Sequence, residues 1–330
     1  MLRRHVLLSG LSGAGCLAAA RAVGQDAPYP SQPVMLVAPF SAGGSADAAA
    51  RLLAAHAPRH LPNKRAAIVV ENRPGASGAI GTNLVARAAP DGFTLLLART
   101  ASSAILPAID PRTPYAWDEF TILGLLYETP FVVCVRADAP WNRLADLLGA
   151  LREAPGRLTF ATTGPATVLD LGVRQLFVSS GLPIDAGSAL PFAGGAEAVG
   201  AVVSGQAHFV GSSLTDAIAA LSARTVRALV VGDADRHALL PGVPTAKEAD
   251  VASLSAITGW SAVFGPASLP PPVVEAWVNA VASLSSDRAW TEAVRRTGSV
   301  PRSSSPSATR DFLREQLALY GDLARRLGLL

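Results

Sequence analysis

Short apolar runs alternate with amphipathic stretches along most of this 330-residue chain, the signature of strands exchanging with helices. Val34–Phe40 reads as a strand that empties into a Gly43-Gly44 turn. A helix then begins with Ser45 as its N-cap and stops near Pro58. Ala66–Val70 leads through Glu71-Asn72-Arg73-Pro74-Gly75-Ala76-Ser77-Gly78 into a helix over Ile80–Ala88, and Pro90-Asp91-Gly92 turns into a third strand, Phe93–Leu97. Such alternation implies a parallel sheet with right-handed crossovers. Both glycine-bearing loops then fall at the carboxyl ends of neighbouring strands, where open α/β sheets bind ligands.

The middle of the chain repeats the pattern. Strands are predicted at Phe131–Val135, Leu158–Ala161, Ala189–Phe192, Ala207–Gly211 and Arg227–Val231, and helices at Leu144–Leu151, Val168–Val178 and Ala196–Ser204. The strand ends carry Thr162-Thr163-Gly164, Gly194-Gly195 and Ser212-Ser213 instead of paired carboxylates or histidines. After Pro241-Gly242-Val243-Pro244, the strand Trp260–Phe264 is placed to return to the first lobe. Helices Val273–Ser285 and Arg288–Arg296 follow, then a final helix capped by Ser305 with Pro306 at its first position. Leu313, Leu317, Tyr320, Ala324 and Leu327 form its packing stripe. A chain that leaves one lobe and later returns crosses twice and so makes a hinge. The expected architecture is α/β and two-lobed, with one lobe from 28–126 plus 254–330 and the other from 127–253.

The start of the chain changes the reading of its charge. Arg3 and Arg4 precede the short apolar run Val6 to Ala20, and Ala20-Arg21-Ala22 has cleavage-site spacing, so 1–22 reads as an export signal by the Sec or twin-arginine route. Cys16 raises lipidation, although Gly13 stands where a bulky apolar residue belongs. Removing the three arginines of this segment takes the formal charge from +3 to zero, which leaves no argument for nucleic acid. Cys134 is then the single cysteine, read as a small buried hydrophobe. No later apolar run is long enough to span a bilayer.

Candidate chemistry narrows further. The Gly43-Gly44 loop exposes backbone N–H groups at a helix start, an anion cradle without a charged side chain. It matches neither G-x-x-x-x-G-K-[ST] nor G-x-G-x-x-G. His56 and His60 have i, i+4 spacing, but Pro58 lies between them and no Cys or acid pair completes a metal set. There is no G-x-S-x-G elbow, and Lys64 and Lys247 sit in loop-like contexts. No cofactor is expected. Arginine supplies the cationic groups, which suits planar recognition of carboxylates.

These features, taken in order along the chain, carry a resemblance. Tyr29-Pro30-Ser31-Gln32-Pro33, Val37 to Asp47, Val70 to Gly78, Ala88 to Leu96, Pro155 to Ala161, Pro191 to Gly195, Leu240 to Thr245 and Gly265-Pro266-Ala267 together resemble the Bug family of extracytoplasmic solute-binding proteins. This is the TctC-like component of tripartite tricarboxylate transporters. The resemblance implies a hinge-closing periplasmic binding protein that takes a small carboxylate, acts as a monomer and docks on membrane transporter subunits. Carried over residue by residue, it implicates Phe40, Ser41, Ala42, Gly43, Gly44 and Asp47 in the first loop, and Ser77, Gly78, Thr100 and Ser102 beside it. From the second lobe it implicates Thr162, Thr163, Gly164, Thr167 and Ser212. Asp47 also fits a capping acid in a first helical turn.

Three departures stand out. Gly211-Ser212-Ser213 lacks the acid that family members often carry there, Arg99 stands where small polar residues are common, and Asp170 lies nearest to a missing histidine. Arg99 reads either as a solvated strand-end residue or as a bidentate clamp on a ligand carboxylate. With no acid at Ser212, a carboxylate without an ammonium group is expected. Two other function classes fit parts of this pattern: a binding protein that serves a sensor kinase, and a secreted α/β enzyme, for which no nucleophile–base pair or metal set is found.

Overall fold

The structure, a computed structural model, describes residues 28–328 and 330. The export segment and Cys16 lie outside the described residues. In the first part of the chain β1 (Val34–Ala38), β2 (Ile68–Asn72) and β3 (Thr94–Arg99) form a parallel sheet in the order β2-β1-β3. The helices α1 (Ser45–His56) and α2 (Ala79–Ala86) connect them. Val34, Leu36, Val37 and Ala38 are all buried because helices cover both faces, as a parallel sheet requires.

After β3 the chain makes a π-helical turn, Ala101–Ile105, that runs into the short α3 (Leu106–Ile109). It then enters β4 (Thr121–Arg136), a 16-residue strand on which the architecture turns. Only its second half is evident from sequence, because Glu128 and Pro130 look like strand breakers. Those residues sit where β4 changes sheets. Up to Pro130 it pairs with β9 (Thr258–Gly265), and from Phe131 onward with β7 (Phe209–Ser213) and β8 (Val226–Gly232). A residue without an N–H is tolerated at that handover, where one ladder ends and the other begins.

The second lobe contains α4 (Leu144–Glu153), β5 (Thr159–Thr162), α5 (Val168–Ser179), β6 (Ser188–Pro191), α6 (Gly195–Val203), β7, α7 (Leu214–Ser222) and β8. Here β6, β5 and β7 run parallel, with β4 antiparallel beside β7. The chain returns through 233–257 into β9, which pairs with both β3 and β4. It continues as α8 (Pro271–Leu284), α9 (Arg288–Arg296), β10 (Val300–Ser304) on the outer edge of β4, and α10 (Pro306–Arg326). Ser305 caps α10 by accepting the Ala308 N–H at 3.3 Å, as the sequence indicates.

Neither α7 nor β10 is among the elements expected from sequence. α7 carries an Ala-rich helical pattern, with Thr215 and Asp216 in its first turn after Ser213. β10 has little apolar content and owes its strand form to pairing with β4.

The core lies in two layers against the sheet of the first lobe. Trp277 and Trp290 pack with α1 residues on one face, and Trp260 packs with α10 residues on the other. The second of these layers runs on through Phe131 to Phe160 and Phe177, joining the lobes.

Candidate functional site

The loop after β1 is fastened from within. Gly43 adopts φ +81°, which glycine allows without strain. Its N–H donates to Asp47 Oδ2 at 3.0 Å, and Arg51 Nε donates to the same oxygen at 2.9 Å. The Arg51 guanidinium and the Gly43 amide hold the Asp47 carboxyl below its ordinary range. Asn72 at the end of β2 donates to Phe40 O at 3.0 Å, tying the two loops together.

Two expectations change here. The N-cap is Gly44, and Ser45 is the first helical residue. With the Gly43 amide held by Asp47 and the first intrahelical bond running from Ala48 N–H to Gly44 O, the helix-start N–H groups that lack intrahelical partners are those of Ser45, Ala46 and Asp47. The free N–H groups therefore sit beyond the glycines, in the first turn of α1. Ser41, Ala42, Gly43 and Gly44 are all exposed.

Phe40, Gly78 and Ser102 converge. Gly78 has φ +91°, and a Cβ there would lie 2.8 Å from Ser102 Cβ and 3.0 Å from Phe40 Cζ. Only glycine lets the β2–α2 loop approach so closely. Ser77 beside it is exposed. Ser102 is buried, and its carbonyl accepts the Tyr115 hydroxyl at 2.6 Å. Thr100 is engaged inward, since its hydroxyl accepts the Trp260 N–H at 2.9 Å and reaches Thr258 O at 3.4 Å. It anchors β9 beneath the cleft.

In the second lobe the β5–α5 loop folds on itself. The Thr162 and Thr167 hydroxyls both donate to Gly164 O, at 3.2 and 2.9 Å, and Thr167 caps α5 by accepting the Asp170 N–H at 3.4 Å. Asp170 accepts the Ala166 N–H at 3.2 Å and Arg174 Nε at 3.0 Å. Burial nevertheless pushes the Asp170 carboxyl up, against the pull of Arg174. Thr163 and Gly164 are half-buried, and Gly164 has φ +108° with open space around it. Ser212 is fully buried, and its hydroxyl has no partner among the described residues.

One device recurs at these helix starts. A first-turn acid accepts the N–H four residues before it: Asp47 from Gly43, Asp146 from Asn142, Asp170 from Ala166, and Glu197 from Ala193. Each acid places negative charge at the positive end of its own helix.

Arg99 points between the lobes. Its Nη1 donates to Ser261 Oγ at 2.5 Å and its Nη2 to Ser45 Oγ at 3.4 Å. Arg99, Ser45, Tyr127 and Thr129 share a cavity of about 20 Å³ with Thr215 of α7 and with Thr297. Next to Thr215 in the first turn of α7, burial pushes the Asp216 carboxyl up, while the Arg99 charge draws it down.

The family model described as "Tripartite tricarboxylate transporter family receptor" (TctC) matches residues 50–329. The chain belongs to the TctC family. A relative from Pseudomonas sp. (strain P51), described as "UPF0065 protein in tcbD-tcbE intergenic region", is 35% identical over 273 residues, covering 82% of this chain and 79% of its own. The solved structure of R. palustris Rpa4515 with adipate superposes with TM-score 0.80 at 26% identity, covering 91% of this chain and 98% of that one. MatC (Rpa3494) from Rhodopseudomonas palustris with bound malate gives TM-score 0.76 at 26% identity, covering 89% and 99%. The α/β, two-lobed reading of the sequence thus holds, and TctC proteins are periplasmic solute-binding proteins.

Within this TctC chain, Asp216 is an acid near this strand end that sequence reading missed. The strand end Gly211-Ser212-Ser213 holds no acid, whereas α7 brings one round three residues later. The signal was a helix start directly after the strand. His56 and His60 serve the packing of the first lobe: His60 Nε2 lies 2.9 Å from Asp287 Oδ2, and His56 packs edge-on against Trp290. Among the described residues no three His, Cys, Asp or Glu side chains group to hold a metal, and no helix is long and apolar enough to cross a membrane.

Proposed function

We propose that this protein is exported with loss of residues 1–22 and closes its lobes, 28–126 with 254–330 against 127–253, on one small carboxylate. It then presents that solute to the membrane subunits of a tripartite tricarboxylate-type transporter. The protein acts as a monomer, without a cofactor and without catalysing a reaction on its ligand. Arg99 is the observation that carries this reading. It sits at the carboxyl end of β3, its guanidinium held among the described residues by hydroxyls alone, and it looks across the cleft at α7. A fork of N–H donors so placed suits a carboxylate bidentately.

The Ser45 and Ala46 amides, with Phe40, Ser41, Ala42, Gly44, Ser77, Gly78 and Ser102, line the first lobe's share of the site. Thr163 and Gly164 are its counterparts in the second lobe, where Thr162, Thr167 and Ser212 shape the wall. Gly43, Asp47 and Thr100 hold this wall in shape from behind. Adipate and malate on the two structural relatives support the ligand class.

A thermal-shift screen of the purified protein over mono-, di- and tricarboxylates and amino acids tests the reading. A true ligand at a hundredfold excess over its dissociation constant adds about 2.7 kcal/mol of stability. Consumption of the ligand, or no shift with any carboxylate, would refute it.

A further inference from the structure

Tyr127 and Thr129 of β4 line the cavity that holds Arg99. From Tyr127 to Pro130 the strand pairs with β9 without a bulge, so its side chains alternate, and Glu128 and Pro130 project from the other face. On that face lies a second cavity of about 150 Å³, bounded by Glu128, Pro130, Asp233, Ser255, Thr258 and Arg302. It sits where β4 passes from one lobe to the other, across the strand from Arg99.

Arg302 spans this cavity. It belongs to β10, which pairs with the first-lobe half of β4, Val300 lying opposite Glu128. Its Nη2 donates to Asp233 Oδ1 at 2.7 Å, and its Nη1 lies 3.6 Å from Glu128 Oε1. Asp233 directly follows Gly232, which pairs with Phe131 in the second-lobe half of β4. It is buried, and its Oδ1 also accepts the Ala234 N–H at 2.8 Å, which holds the acid against the backbone of its own lobe. Among the ion pairs of the described residues, only those of Arg302 reach from one lobe to the other.

Lobes that turn about a strand shut one of its faces as they spread the other. Closure on the Arg99 side therefore draws β10 and the end of β8 apart, and a bond of 2.7 Å between them does not survive the spread. We propose that the Arg302–Asp233 bridge is a tie behind the hinge that opposes closure, so that these two residues set the protein's affinity for its solute without touching it. This rests on the lobe closure proposed above and adds its restraint. The bridge is made before the cleft shuts and lost when it does, so it weakens the binding of every solute alike. Arg302 is exposed to solvent, which keeps the effect modest.

Arg302→Met removes the tie, Asp233→Asn strips it of one charge, and Arg302→Lys keeps a cation on it. Small-angle X-ray scattering of the ligand-free proteins should give a smaller radius of gyration for Arg302→Met and Asp233→Asn than for wild type, with Arg302→Lys close to wild type. In calorimetric titrations with malate and with adipate, Arg302→Met should bind about threefold tighter or better, by the same factor for either acid. The double variant should bind no tighter than Arg302→Met, because both changes act on one bridge. Loss of a merely structural bridge would lower the urea midpoint without tightening binding. A radius of gyration unchanged in the folded variants, or an affinity unchanged or weakened, overturns the inference. If wild type binds neither acid, the scattering decides the inference by itself and the failed titration counts against the carboxylate reading alone.

Discussion

Removing the Asp170 carboxylate tests how the loop after β5 is held. Asp170 is 2% exposed, while the Arg174 side chain retains 18% of its exposure. Asp170→Ala leaves that largely buried guanidinium without its anion and frees the Ala166 N–H. Deleting one partner of a buried pair costs about 3–5 kcal/mol. Arg174 keeps the Ile184 carbonyl at 2.9 Å and the Phe160 ring at 5.7 Å from its carbon, so it is not stranded completely. The expected loss is therefore at the low end, about 3 kcal/mol, which in a chain of this size lowers Tm by about 6 °C.

The double variant Asp170→Leu/Arg174→Met removes both charges and should recover to within about 1 kcal/mol of wild type. The raised pKa of Asp170 agrees with that, since desolvation already outweighs the attraction of Arg174. Urea unfolding followed by circular dichroism measures both variants, and their m values should match wild type. If the single and double variants lose the same stability, packing and not charge holds the loop, and the reasoning fails.

Three further outcomes follow from the same geometry. Gly44→Val should fold within about 1 kcal/mol of wild type. The residue is extended, and its Cβ meets only Ser41 O at 3.4 Å. Its carboxylate affinity should nevertheless fall about tenfold or more in a calorimetric titration; unchanged affinity would remove this loop from the site. Thr100→Val leaves the buried Trp260 N–H without its acceptor at 2.9 Å and should cost about 1–3 kcal/mol in urea, with any binding loss secondary to that. Glu128→Gln should gain stability relative to wild type as pH rises. Burial lifts the Glu128 carboxyl above its ordinary value despite Arg302, so between those two values the folded chain binds more protons than the unfolded one and wild type weakens with pH. Urea midpoints of both proteins across the acid range measure this, and parallel curves would contradict the assignment.

Much of the fold was legible because strands and helices of the parallel units carry their own periodicity. β1, β3, β5 and β8 are buried on both faces and read as short apolar runs, and α10 showed its cap and its stripe. β4 was half invisible, since Glu128 and Pro130 make sense only once two sheets are known to meet there. β10 was invisible because a strand such as Val300–Ser304 is defined by the edge it pairs with, not by its own residues. In the site, the glycines at 43, 78 and 164 were readable as backbone requirements. The partners of their amides and hydroxyls were not, because a hydrogen bond such as Thr100 to Trp260 joins residues 160 positions apart.

By itself the sequence determined the α/β alternation, the two lobes and the order of loops that identifies the family. All of these are local or additive properties, set by composition, periodicity and turn chemistry. Only the tertiary structure decided that Asp47 takes the Gly43 N–H, that Thr100 faces the core, and that Arg99 shares a cavity with Thr215 of α7. Those outcomes depend on which lobe faces which and on competition among nearby partners for the same donor. Coulomb and hydrogen-bond energies are set by distances of a few ångströms that no spacing along the chain encodes.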